Sequence, residues 1–271
     1  MDPQAAALQR RGENLAQLRE IVARSDGPRQ VVAIANGGDG AIVAGQLERV
    51  SREIFRADGA TRIFVHEEVT RRGQLLGLLD ALRSCREQGL EKRGTTVGIM
   101  LPGKGTRLSP LTQRLHGIKP FMPMLVRQGA STGWLSGAGA SLYTWTLVAH
   151  HLQRMGFAGV AWKWGDEPQI AARSMAALDL DLSEVDAVRF GSEVRVTEDL
   201  ARNKEWLLRD PATSELRLQV RRRPMAQLRR RFGVDASATE VKALVHIGSP
   251  ALSYLLLEQA EAVSYTHLRA H

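Results

Sequence analysis

The sequence predicts an α/β fold with a mostly parallel sheet and one antiparallel excursion. Two observations predict it. Short apolar runs of strand length alternate with stretches of helical hydrophobic spacing. A strand–turn–strand pattern around Asp210-Pro211-Ala212-Thr213-Ser214 breaks that alternation once. The balance of 44% hydrophobic and 24% charged residues over 271 positions is that of an ordinary globular chain.

Residues 4–24 carry Leu8, Leu15, Leu18, Ile21 and Val22 near helical spacing, and Ser25-Asp26-Gly27-Pro28 stops them. Val31 to Ala35 reads as a strand, turned by Asn36-Gly37-Gly38-Asp39-Gly40 into a helical pattern from Ala41 to Phe55. Arg62 to Val65 is the next strand, and Leu75 to Arg86 the next helix, ended by Gly89. Val97-Gly98-Ile99-Met100-Leu101 is a buried strand followed by a loop rich in Gly and Pro. Ser141 to Met155 is helical, and Val160-Ala161-Trp162 is a strand running into Lys163-Trp164-Gly165-Asp166. Trp206 to Leu208 pairs with Leu216 to Val220 as a hairpin. Val241 to Ile247 reads as a strand and Pro250 to Ala260 as a helix. No internal repeat is present.

Several function classes are excluded early. One cysteine, Cys85, rules out an intramolecular disulfide framework and a four-cysteine zinc site, and reads as a buried small side chain. No apolar run approaches the roughly 20 residues needed to span a bilayer. The opening stretch, MDPQAAALQRRGEN, lacks the apolar core of a signal peptide. No membrane partner and a cytoplasmic location are therefore expected. The net charge of +8 suits phosphate-bearing substrates as well as nucleic acid. With 31 arginines, six lysines and 5% aromatics it gives nucleic acid little weight.

Chemistry concentrates in Leu101-Pro102-Gly103-Lys104-Gly105-Thr106-Arg107-Leu108-Ser109-Pro110-Leu111-Thr112, followed by Lys119-Pro120 and Pro123. An apolar strand ends here in a glycine-rich turn. Such turns let backbone amides approach phosphate oxygens and form an anion nest. Arg107 adds a planar fork suited to phosphate, and Lys119 a compact cation. Open α/β sheets bind ligands at the C-terminal ends of their strands. The spacing is neither that of a P-loop nor that of the G-x-G-x-x-G dinucleotide fingerprint.

The whole string resembles the G-x-G-T-R-[LM]-x-P-L-T…K-P signature of the sugar-nucleotide pyrophosphorylases, which are sugar-phosphate nucleotidyltransferases. Gly103 to Thr112 and Lys119-Pro120 match it position by position. Pro102 departs from it, because the family usually has a glycine there and proline has no amide to donate. The resemblance implies a Rossmann-like nucleotide-diphospho-sugar transferase sheet, mostly parallel with helices on both faces. It implies that a nucleoside triphosphate and a sugar 1-phosphate give a nucleotide sugar and pyrophosphate, with Mg2+. It assigns nucleotide binding to Leu101, Gly103, Lys104, Gly105 and Thr106. Arg107 would clamp the leaving pyrophosphate, and Lys119 would sit by the α-phosphate.

The resemblance continues less densely downstream. Trp164-Gly165-Asp166 resembles the family's metal motif, which makes Asp166 the Mg2+ ligand. The other reading of Gly165-Asp166 is an ordinary turn before Glu167-Pro168. The interval from Lys119 also looks about one strand–helix unit short for the family. Arg222-Arg223-Pro224 stands where the family has a Lys-Pro that binds the sugar phosphate, so Arg223 is its candidate. Seven arginines between Arg217 and Arg231 also fit a solvated basic face.

Three other functions remain open: a catalytically silent module that binds nucleotide sugars, a cytidylyltransferase acting on a non-sugar phosphate, and a nucleic-acid binder. Asn36 to Gly40 reads as a second phosphate loop or, preferably, a glycine turn. Arg71 to Gly77 reads as a substrate-lining segment or a helix cap. His150 and His151, adjacent on a helix, do not suit a metal. The expected organisation is an α/β extension over 1–93 and a transferase core over 94–262. Residues 263–271, VSYTHLRAH, resemble a translated sequencing adapter and are expected to be non-native. The core is then expected to be truncated near Ala262, with the family's second metal carboxylate beyond it and the fragment inactive. Base, sugar and oligomeric state are not legible.

Overall fold

The computed structural model describes residues 3–24, 28–55, 61–70, 74–102, 118–127, 134–166, 168–171, 173–195, 197–203, 205–209, 216–232, 242–246 and 251–269. The chain divides into two compact units, Met1–Ala187 with Ala251–His271, and Val188–Pro250. The first begins with α1 (Pro3–Ala23), β1 (Gln30–Asn36), α2 (Gly40–Phe55), β2 (Arg62–Glu68), α3 (Gln74–Glu87) and β3 (Thr95–Met100). After a 3-10 turn (Lys119–Phe121) come β4 (Pro123–Arg127), β5 (Trp134–Ser136), α4 (Gly137–Arg154), β6 (Gly159–Trp164) and β7 (Ala187–Val188). The second unit holds β8 (Gly191–Arg195), α5 (Glu198–Asn203), β9 (Glu205–Arg209), β10 (Leu216–Arg221), α6 (Met225–Phe232) and β11 (Lys242–His246). The chain then returns to the first unit with β12 (Ala251–Ser253) and α7 (Tyr254–Arg269).

The first unit is built on a six-stranded sheet in the order β2-β1-β3-β6-β12-β7. The strands β2, β1, β3 and β6 are mutually parallel, and β12 runs antiparallel to β6. Every residue of β3 is buried, as expected of a central strand covered on both faces. Register places Val32, Phe64, Gly98 and Trp162 side by side on one face. Leu78, Leu82 and Cys85 of α3 pack into the same core cluster as that row, together with Tyr254 and Leu257 of α7. Burial pushes the Cys85 thiol up to about 12, so the cysteine is inert core, as its sequence context suggests. The opposite face carries Ala161 and Lys163 and is covered by α4, whose Trp145 Nε1 donates to Ala161 O at 3.0 Å. Helices α1 and α2 both pack on α4. The fold is thus mixed α/β with helices on both faces of a mostly parallel sheet.

One connection differs from the regular pattern of doubly wound sheets. The step from β1 to β2 and the step from β3 to β6 run in opposite directions along the sheet. Yet α2 and α4, the helices of these two connections, lie against each other on one face. The two crossovers therefore have opposite hands, and one departs from the right-handed rule. The β3-to-β6 connection is not a plain βαβ unit, because it carries the antiparallel β4–β5 pair.

The second unit is a four-stranded sheet in the order β10-β9-β11-β8, and every pairing in it is antiparallel. The expected hairpin is its β9–β10 pair. The strand expected over 241–247 joins this sheet rather than the parallel one. The division anticipated near residue 93 is not where the compact units part, because β1 and β3 hydrogen-bond directly and so belong to one sheet. The helix expected from Pro250 starts later: β12 comes first, and α7 then runs from Tyr254 to Arg269, through part of the adapter-like tail. No helix among the described residues is long and apolar enough to cross a membrane.

Two positions make the core testable. A Cβ on Gly98 would stand 1.7 Å from the Trp162 ring, so the strand tolerates no side chain there. Gly98→Ala is expected to lower stability by about 1–3 kcal/mol, read as a shifted denaturant midpoint. His151 is fully buried in α4. Its Nε2 lies 2.9 Å from Gln17 Oε1 of α1, and its Nδ1 has no partner among the described residues. Burial, with repulsion from Arg154 and His150, holds its pKa down to about 4. Between about pH 6.5 and 4 the unfolded chain binds a proton that the folded chain refuses. Stability should therefore fall by about 3 kcal/mol across that window as the pH drops. His151→Gln should flatten the slope in urea titrations at stepped pH.

Candidate functional site

The site is built where β3 and β6 end. Beyond β3 the Leu101 amide donates to Ile34 O at 3.0 Å, and beyond β6 the Gly165 amide donates to Met100 O at 2.8 Å. These bonds carry the ladder one residue past each strand and bring Leu101 and Gly165 together. A Cβ on Gly165 would lie 2.5 Å from Leu101 Cδ2 and 3.0 Å from Met100 O, which explains the glycine before Asp166. Leu101 is 1% exposed. With its amide taken by Ile34, it forms the floor of the site rather than an amide donor to a ligand. Pro102 is half-buried. Gly103, Lys104, Gly105, Thr106 and Arg107 lie outside the described residues, as does Arg71 to Gly73.

The 3-10 turn supplies the second wall. Pro120 and Phe121 are buried, and the Met122 amide closes the turn on Lys119 O at 3.0 Å. Met122 O in turn accepts from the Gly137 amide at 3.0 Å, which seats the start of α4 beside the turn. Ser136 caps that helix, its side chain accepting from the Gly139 amide at 3.0 Å. A Cβ on Gly137 would stand 3.0 Å from Pro120 O and 3.8 Å from the Asp166 Cα, so the turn, the helix start and the β6 end are in close contact. The positive end of the α4 dipole thus lies by a carboxylate.

At this junction the Lys119 ammonium forms an ion pair with Asp166 Oδ2. The two residues are 47 positions apart in sequence. Their side chains are 45% and 27% exposed, so the pair is open to solvent. Two residues singled out from the sequence are therefore one constellation. Arg223 belongs to the second unit, where it is exposed and its amide donates to Ala201 O at 3.2 Å.

Among the described residues no group of three or more His, Cys, Asp or Glu gathers that could hold a metal. His150 and His151 touch edge to face at 5.5 Å and belong to no such group. Asp166 alone fits Mg2+ in the manner of ions that take one or two carboxylates and complete their shell with phosphate and water.

Two features escaped the sequence reading. Glu67, near the end of β2, accepts from the Gly38 and Gly40 amides at 2.8 and 2.9 Å. The glycine loop after β1 is therefore a turn whose donors already hold an internal carboxylate. Lys163 is fully buried, donates to Gln169 Oε1 at 2.8 Å and lies 5.4 Å from the Trp145 ring centroid. The Gln169 amide also reaches Thr144 Oγ1 at 3.3 Å, so the segment after Asp166 is anchored on α4. Alternation in Val160-Ala161-Trp162-Lys163-Trp164 was the available signal, since it sets Lys163 on the face opposite the tryptophans.

Comparison of the chain with protein-family models, curated proteins and solved structures finds no match in any of the three.

An exposed ion pair contributes little to stability, typically below about 1 kcal/mol. A double-mutant cycle on Lys119→Met and Asp166→Asn should give a coupling below about 1 kcal/mol in urea denaturation. A larger coupling would mark the pair as structural.

Proposed function

We propose that the chain is a nucleotidyltransferase joining a nucleoside triphosphate to a sugar 1-phosphate, giving a nucleotide sugar and pyrophosphate, on a Rossmann-like sheet. The observation that carries this reading is the meeting of Lys119 and Asp166 at the adjoining ends of β3 and β6. The motif from Gly103 to Thr112 departs from the end of β3. The cation and the carboxylate that the family resemblance needs are therefore close together, at the kind of sheet edge where α/β proteins bind ligands.

In this reading the chemistry is positioning and electrostatics. The sugar phosphate oxygen attacks the α-phosphorus, and the bond to the leaving pyrophosphate breaks. The phosphate is already a nucleophile, so no protein base is required. Lys119 would stabilise charge at the α-phosphate, and Arg107 the departing pyrophosphate. Asp166 would hold Mg2+, which when bound offsets the charge of the phosphate oxygens. Gly103, Lys104, Gly105 and Thr106 would hold the nucleotide.

One observation favours a second reading, a silent module that binds nucleotide sugars. Pro102 lacks an amide and the Leu101 amide is already used, so the loop starts with two fewer donors for phosphate. The two readings separate in one assay. A full-length homologue, in which the core runs on past the position of Ala262, is incubated with Mg2+, a panel of five nucleoside triphosphates and several sugar 1-phosphates, and pyrophosphate is measured. Release above background from at least one pair is expected, reduced by about 10²–10³ when the residue at the position of Arg107 is replaced by alanine. Binding of a nucleotide sugar without release would establish the silent module. Neither binding nor release would overturn both.

A further inference from the structure

The sheet of the first unit ends on one side at β2 and on the other at β7. The β7 edge is two residues long and offers little to pair with. The β2 edge runs the seven residues Arg62–Glu68, in unbroken register with β1. Successive residues of a strand send their amide and carbonyl to alternate sides of it. The Arg62 amide donates to Arg29 O at 2.8 Å, and Glu68 O accepts from the Gly37 amide at 3.1 Å. The backbone groups of Arg62, Phe64, His66 and Glu68 therefore face β1, and those of Ile63, Val65 and Glu67 face outward. No strand among the described residues takes up the outward groups. The strand has no proline, lysine or bulge of the kind that blunts an edge.

The same strand is complementary to itself. It carries a cation at its start, Arg62, and two carboxylates at its end, Glu67 and Glu68. An antiparallel copy reverses that order, so unlike charges meet. We propose that β2 pairs antiparallel with β2 of a second copy of this chain, about a two-fold axis at Val65, joining the two sheets into one. This register sets Val65 against Val65 and Ile63 against Glu67, so outward amides meet outward carbonyls along the strand. The intervening pairs are Phe64 with His66 and Arg62 with Glu68, the positions of closest approach in an antiparallel ladder. Neighbouring registers that keep the backbone groups facing set Arg62 against His66 or past the end of the strand, and lose the charge pairing. Arg62 is exposed and already reaches Gly89 O at 3.2 Å and Glu91 at 3.3 Å. Its five donors leave capacity for a further carboxylate. Val69, 86% exposed just past the strand, is brought to the start of β2 in the second copy. A contact of this symmetry is satisfied by two chains and does not propagate.

The whole chain is followed by sedimentation velocity over a micromolar dilution series, and a dimer that dissociates on dilution is expected. Arg62→Glu sets like charges opposite each other at both ends of the pairing and should weaken the dimer about tenfold or more. Adding Glu68→Arg to it should recover most of that loss. Val65→Cys should give a disulfide-linked dimer under mild oxidation, because directly opposed, hydrogen-bonded positions lie about 5.5 Å apart at Cα. Ile63→Cys should not, because its counterpart in the second copy lies four positions further along the strand. The native Cys85 is buried and takes no part. Unchanged melting temperatures check that the variants fold, and the cysteine pair decides the matter if the charge variants do not. A chain that stays monomeric throughout, a dimer that folded Arg62→Glu leaves unchanged, or one that Val65→Cys fails to link overturns the proposal.

Discussion

The end of β3 is held from both sides by backbone hydrogen bonds. Leu101 donates to Ile34 of β1, and Met100 accepts from Gly165 beyond β6. Three chain segments thereby converge, and the 3-10 turn packs against the same place through Pro120. The requirement that buried backbone groups be paired makes this arrangement stiff. The two glycines at the contact, Gly137 and Gly165, are there because a side chain at either would press on backbone or on Leu101. Without this junction Lys119 and Asp166 would be two surface charges with no relation to each other.

The charges placed around the sheet follow a consistent physical logic. At two places the fold supplies a polar group with a partner from within. Glu67 fills the amides of the turn after β1, and Gln169 with the Trp145 ring accompanies the ammonium of buried Lys163. On the outside of the same unit, Glu261 of α7 is forked by Arg83 and Arg86 of α3 at 2.9 and 2.5 Å, which ties the C-terminal helix onto the sheet's cover. The Lys119–Asp166 pair differs in kind. It is solvent-open, and it lies at the strand ends. A pair of this sort adds little to folding.

Much of the fold was legible in the sequence, for reasons that differ by element. Strand β1 and helices α2 and α3 announce themselves because glycine turns bound clean hydrophobic periods. The hairpin β9–β10 was readable from its polar turn. The strands β4, β5, β8 and β12 and the helix α6 were not. Most of these strands are short, and α6 is dense in arginine, so their periodicity is masked. Lys119 and Asp166 stand out by motif, whereas the roles of Lys163 and Glu67 come from partners, Gln169 with the Trp145 ring and the Gly38 and Gly40 amides, that only the folded chain brings to them.

The residues read in order are enough for the α/β alternation and for the burial of Cys85. Those are local properties: period, turn residues and side-chain type. It takes the packed chain to show that β3 lies between β1 and β6, that α4 covers the same face as α2, that residues 188–250 form an antiparallel unit of their own, and that Lys119 meets Asp166. Each of these depends on which strands pair and which helix faces meet. Hydrogen bonding between strands is indifferent to sequence, so the choice rests on the packing of whole faces, and no local stretch records it.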